Sequence, residues 1–393
     1  MTYYRRVGQV PPKRHSQFRD EHGRLYAEEL IGEEGFFHDS SLLYHVNTPN
    51  VLLEACPVDV PALTSAAVPH SPLLPRRMQL HDLEAPGDPV TGRRTVVAND
   101  DVRISYSTGN RPSPLFRDAC SDELVFVESG AAVLESVYGA LDVGTGDYVV
   151  IPKGTVHRWV PGHDLELRLL VIESRGHVRV PNRYLSPRGQ LLETAPYHER
   201  DFRGPDAPLV VDDDGPTDVL VRHRDGVTRH TFRHHPFDVI GWDGCVYPYA
   251  FSIYDFEPLV KRFHAPPPVN ETFSAPGFVV CSFCPRPVDF DPTAIPAPYA
   301  HSAVDCDEVM FFVSGAYTIR PDVRPGTMTF HPAGFAHGPA PGGIEASLQK
   351  SVHEEYAVMI DTFAPLSMGD AMEECAEPDY YLGWSRPVPG ASS

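Results

Sequence analysis

Apolar positions along the chain come in short blocks, not at helical spacing. "GDYVVIPKG" (146–154), "LELRLLVIES" (165–174), "GFVVCSFCPRP" (277–287) and "EVMFFVSGAYTIRP" (308–321) are each closed off by Gly or Pro. With 41 Pro and 30 Gly in 393 residues, this is the punctuation of a turn-rich β protein. Helical patterns are scarce, and residues 353–362, "HEEYAVMIDT", fit a helix or a strand. Residues 1–100 are polar and turn-rich, with "LYAEEL" (25–30) as an anchor. Residues 184–236 read as a connector with acidic ("DDDG", 212–215) and basic runs. The tail after Gly383 is expected to fray.

One block occurs twice. "SDELVFVESG" (121–130) and "CDEVMFFVSG" (306–315) share Asp-Glu, an apolar run and Gly. Each is followed by a second shared element, "GDYVVIPKGTVH" (146–157) and "GTMTFHPAGFAH" (326–337). Both elements fit Gly, five residues, Pro, any residue, Gly, two residues, His. The later copy also has His301 seven residues before Glu308, where the earlier copy has Phe116 before Glu123. Two such motifs in one order resemble the paired motifs of the cupin superfamily, small jelly-roll barrels. The expected fold is therefore mainly all-β: a bicupin of two jelly-roll-like β-barrels, the C-terminal one carrying a metal site. The expected division is residues 1–229, with a degenerate repeat, and residues 230–393, the catalytic domain.

The armed copy carries specific chemistry. Side chains alternate along a strand, so residues seven apart on one straight strand cannot converge. The turn-like "SAVDCD" (302–307) lets His301 end one strand and Glu308 begin the next, while Pro-Ala-Gly swings His337 in. A buried histidine is more commonly a hydrogen-bonded core residue, but three ligand types at the motif's positions favour a metal. Two imidazoles and a carboxylate form the facial triad of non-haem Fe(II) oxygenases, although the same ligands suit manganese, nickel or zinc. Glu123 and His157 alone would hold a metal poorly, so the earlier copy reads as a remnant with His157 half-exposed.

The remaining numbers narrow the class. A formal charge of −20 argues against nucleic-acid and anionic-membrane surfaces. No apolar run approaches the roughly 18 residues of a membrane span. No apolar region follows the basic residues of the first fifteen, so a signal peptide is not expected and a cytoplasmic location is. Seven scattered cysteines, with one C-x-x-C at Cys281 and Cys284, lack the second pair a paired zinc site needs. Reduced, mostly buried thiols are expected.

The surroundings of the triad resemble the homogentisate 1,2-dioxygenase family, whose iron enzymes open a para-hydroquinone ring bearing an acetate. The resemblance rests on "LYAEEL", "PFDVIGWDGCVYPYAF" (236–251), "PAPYAHSAVDCDEVMFFVSGAY" (296–317), "FHPAGFAHGP" (330–339) and "YYLGWSRP" (380–387), and is firmest from about 236 to 340. It implies Fe(II) bound by His301, Glu308 and His337, with Asp307 competing for the Glu position because the intervening loop is one residue longer. It implies that His331 lies close to the ring, Tyr317 bonds a substrate hydroxyl, Arg320 replaces a family Lys near the carboxylate, and Tyr299 lines the wall. The family's histidine after Trp242 is here Asp243, either a replacement base or the mark of a different substrate; His264 is a further proton-handling candidate. The implied partners are a small aromatic substrate and O2, within a homo-oligomer, trimer or hexamer. A gentisate-like or biosynthetic hydroquinone, a non-catalytic metal- or small-molecule-binding cupin, and a metal-dependent isomerase stay open as alternatives.

Overall fold

The computed structural model describes residues 3–84, 87–213, 215–317, 320 and 322–385. Most of the regular structure is β, with helices confined to short turns such as Gly343–Ser347 and Asp370–Cys375. In the amino-terminal half, strands Asp122–Ser129, Asp147–Ile151, Leu167–Ser174 and Val102–Gly109 are hydrogen-bonded neighbours in one antiparallel sheet. A second sheet contains Ala131–Ser136, His157–Pro161 and Phe116–Asp118. In the carboxy-terminal half, Phe278–Phe283, Tyr356–Thr362, Asp307–Ser314 and Thr327–His331 pair in that order. The chain is thus mainly all-β and of cupin type.

The continuous apolar run of "DELVFVES" has a physical reason. Val125 and Val127 point into the cluster with Phe116, Val149 and Trp159. Leu124 and Phe126 point the other way, into a larger cluster that also holds Phe311, Val309 and Met328. The sheet is covered on both faces, so polar alternation is absent. The two halves meet through that larger cluster, where Tyr106 lies 6.2 Å from Phe311, ring centre to ring centre. The Tyr148 hydroxyl is 2.8 Å from Ser282 Oγ.

The motif's glycines answer to backbone geometry. Gly146 and Gly326 sit at φ +92° and +79°, and a Cβ there would strike Tyr254 or His81. Gly154 and Gly334 sit at φ +84° and +73° in open space, so the turn alone demands glycine.

Several expectations change. "LYAEEL" leads into a strand, Ala27–Gly32, paired with Ser40–His45. Within residues 353–362 the ambiguity resolves to strand, Tyr356–Thr362, which is flanked by partners on both sides. The connector 184–236 contains a hairpin, Thr217–His223 with Gly226–Phe232. Strand pairing also runs across the division at 229/230. Val239–Gly244 pairs with Arg5–Gly8 and Ser40–His45, and Tyr249–Ser252 with Asp147–Ile151. Conversely, Arg76–Gln79 pairs with Thr327–His331 in the carboxy-terminal sheet. The end of the tail, 386–393, lies outside the described residues. All seven cysteines are free; Cys281 and Cys284 are buried and the other five only partly so. Among the described residues no helix is long and apolar enough to cross a membrane.

Candidate metal centre and the cavity beside it

Strand Asp307–Ser314 opens with two carboxylates whose side chains leave on opposite faces. Asp307 clamps loops: its Oδ1 accepts from Ala333 N at 2.8 Å and its Oδ2 from Leu366 N at 2.7 Å. Glu308 faces the histidines, which separates the two competing residues. His301 and His337 stand opposite each other in a two-way backbone bridge of 2.8 and 2.9 Å, with ring centres 4.4 Å apart.

Each of these histidines spends its Nδ1 on a carbonyl two residues earlier, Tyr299 O at 3.1 Å and Phe335 O at 2.9 Å. A carbonyl only accepts, so the proton is on Nδ1 and the Nε2 lone pair is free. Both Nε2 atoms turn toward Glu308 Oε2, at 3.6 Å from His301 and 3.3 Å from His337. Each of the three residues offers a donor atom, and these atoms lie within 4.8 Å of one another. Ligands about 2.1 Å from one metal at right angles sit about 3 Å apart, so the set fits a divalent ion. The buried His337 Nε2 has no hydrogen-bond partner, which fits a missing ligand.

The charges agree. Burial alone would raise the Glu308 carboxyl, but the three imidazoles around it, His301, His331 and His337, hold it well below the usual range. The Glu308 carboxylate beside it raises His301. Burial pushes Asp361, opposite Glu308 in the sheet, up to about 7, and the Glu308 charge adds to this.

A cavity of about 130 Å³ adjoins His301 and Glu308. Met310, Phe312 and Phe283 give it apolar walls, while Tyr317, Arg320 and His264 bring polar groups to it. Tyr317 Oη, Arg320 Nη1 and His264 Nε2 are buried polar atoms without a partner. Buried polar groups are normally satisfied, so three around one cavity mark a place for a polar ligand. Larger clefts of about 680 and 660 Å³ lie elsewhere, with no member of the triad in their walls.

Other expected residues lie elsewhere. Asp243 is on strand Val239–Gly244, where Arg14 Nε donates to its Oδ1 and Tyr4 Oη to its Oδ2, each at 2.9 Å. Its carboxylate is satisfied there and does not line the cavity, so a proton-accepting role beside the triad does not fit. The strand turns it toward the amino-terminal segment, which the local sequence does not reveal. Tyr299 is 62% exposed; its carbonyl serves the site, and its ring packs on His264 at 4.9 Å. His331 is fully buried behind Glu308 and does not line the cavity. Its Nδ1 is 3.1 Å from Glu308 Oε1, and its ring stacks on His337 at 4.1 Å. Burial pushes it down to about 4 against the pull of Glu308. His264, which sequence reasoning left undecided, lines the cavity; only its placement distinguishes it.

A family model described as the amino-terminal part of homogentisate 1,2-dioxygenase matches residues 7–253. The chain belongs to the homogentisate 1,2-dioxygenase family. Within reach of that family, a protein of Saccharolobus solfataricus, itself only provisionally described as a dioxygenase, is 34% identical across 98% of this chain and 99% of its own. A homogentisate 1,2-dioxygenase of Sinorhizobium medicae is 25% identical across 96% of this chain and 89% of its own. One of Bradyrhizobium diazoefficiens is 29% identical across 55% and 49%. Among solved structures, a cupin 2 conserved barrel domain protein from Leptotrichia buccalis covers 76% of this chain at 9% identity, with a TM-score of 0.35.

Proposed function

We propose that the protein is an Fe(II)-dependent dioxygenase that uses O2 to open the ring of homogentisate or a related para-hydroquinone. The observation that carries this reading is the cavity in which His301 and Glu308, grouped with His337 as a donor set, meet the unpaired Tyr317 Oη, Arg320 Nη1 and His264 Nε2. His301 and His337 would hold the iron through Nε2 and Glu308 through Oε2. Bound there, a ferrous ion supplies the electron chemistry that O2 needs and lowers the pKa of a phenol.

The chain's own groups do the rest. Tyr317 Oη hydrogen-bonds a ring hydroxyl, and Arg320 Nη1 faces a carboxylate. His264 Nε2 takes the phenolic proton, the role that Asp243 is not placed to fill. Phe312, Met310 and Phe283 hold the ring and exclude water. The cavity is close to the roughly 150 Å³ that accepts benzene in an engineered protein core. The family reading also carries the expectation of a cytoplasmic homo-oligomer in aromatic-compound degradation.

The test is anaerobic purification, Fe(II) loading and O2 uptake with homogentisate, gentisate and alkylated hydroquinones. Uptake matched one-to-one with loss of homogentisate is expected. Uptake with another hydroquinone alone would change the substrate and keep the chemistry. No uptake with any of them, despite bound iron, would overturn the reading.

A further inference from the structure

The carboxylate of Glu308 has two oxygens with different duties. Oε2 faces the two free imidazole nitrogens, and Oε1 is 3.1 Å from His331 Nδ1. A carboxylate at neutral pH only accepts, so His331 carries its proton on Nδ1. Its Nε2 is then bare, and the group 3.3 Å from it is Tyr380 Oη. The hydroxyl must donate. A directed chain results: Tyr380 O–H to His331 Nε2, then His331 Nδ1–H to Glu308 Oε1.

Tyr380 is itself held on several sides. Arg77 lies over its ring at 5.2 Å and is fixed by paired bonds of 2.8 and 2.6 Å to Glu377. Trp384 packs on it at 5.2 Å. Arg77 belongs to the strand paired with Thr327–His331, with Thr329 opposite. The carboxy-terminal turn Tyr380–Ser385 is therefore anchored to the same strand that presents His331.

We propose that Tyr380 is a positioning residue: through His331 it fixes the orientation of Glu308 and so sharpens metal binding. This rests on the reading that Glu308 holds the metal. Outer partners that orient a ligand change metal affinity by about ten- to a hundred-fold when removed. Tyr380→Phe deletes only the hydroxyl and keeps the ring against Arg77 and Trp384.

The full-length protein is titrated with Co(II) against a competing chelator, and the cobalt absorption spectrum is recorded. Tyr380→Phe is expected to bind Co(II) about ten- to a hundred-fold more weakly, with a shifted spectrum, in a protein that still folds without metal. Tyr381→Phe, the neighbouring and more exposed tyrosine, is expected to match the wild type. In a His331→Gln background, Tyr380→Phe is expected to add nothing further, which a merely structural role would not produce. Equal affinity and spectrum in Tyr380→Phe and wild type overturn the positioning role alone. A wild-type protein that takes up no Co(II) overturns the metal reading beneath it.

Discussion

Glu123 and Glu308 hold the same place in two copies of one motif, yet they face different groups. In the carboxy-terminal copy His301 stands opposite His337, and both turn a free Nε2 to Glu308. In the amino-terminal copy Phe116 stands opposite His157 in the same antiparallel pairing. There the Arg93 guanidinium reaches Glu123 at 2.5 Å and Glu173 at 2.9 Å, with all three side chains buried. Arg93 also lies over the Phe116 ring at 5.6 Å. His157 is buried against Glu123 at 3.4 Å, so the expectation of a half-exposed histidine fails.

The pairings continue outward. Glu173 lies opposite Glu123 as Asp361 lies opposite Glu308, and Ile151 opposite Glu123 as His331 lies opposite Glu308. A retained carboxylate in a buried site needs a compensating charge. One copy supplies it from the chain itself, with the Arg93 guanidinium set between Glu123 and Glu173.

The Asp before each Glu shows what the copies still share. Asp122 accepts from Lys153 N and Val178 N, each at 2.9 Å. Asp307 accepts from Ala333 N and Leu366 N. Lys153 and Ala333 both follow the motif's proline. The clamp is common to both copies, while the donor set is not.

This contrast can be broken experimentally. The largest effect is expected from His301→Ala, which should abolish iron retention and turnover because two remaining ligands hold a metal poorly. Metal analysis after gel filtration checks it, and full retention would sink the site assignment. Arg93→Ala comes next. It strands Glu123 and Glu173 in the core and should cost about 3–5 kcal/mol in denaturant unfolding.

Asp122→Asn and Asp307→Asn should each cost about 1–3 kcal/mol, since the amide keeps one acceptor oxygen and turns its NH2 on the other backbone N–H group. A large effect in one copy and none in the other would show that the clamp is not shared. The smallest effect is expected from Phe116→His. It restores the third motif residue, but Arg93 still takes Glu123, so metal stoichiometry should stay unchanged. A second equivalent of bound metal would mean that Arg93 does not close the site.

Much of the site was legible because the motif spacing is set by backbone geometry. Gly326 and Gly334 need positive φ, and the turn they shape delivers His337. His301, Glu308 and His337 could be read together for that reason. Asp243 could not be placed the same way. Its position after Trp242 suggested chemistry, but its partners, Arg14 and Tyr4, are more than 200 residues away in sequence. Arg93 was invisible for a similar reason, since nothing near it in the chain resembles the motif. The hairpin within 184–236 was hidden because its residues are only partly buried and its pattern is correspondingly weak.

The sequence by itself determined the β character, the repeated motif and the grouping of His301, Glu308 and His337. Alternation, turn glycines and ligand spacing are local, and each can be read within a few residues. Only the tertiary structure decided which polar atoms are left without partners, which histidine lines the cavity and which lies behind it, and what neutralises Glu123. Those outcomes depend on side chains brought together from distant strands, where burial makes every unpaired charge or hydrogen bond costly.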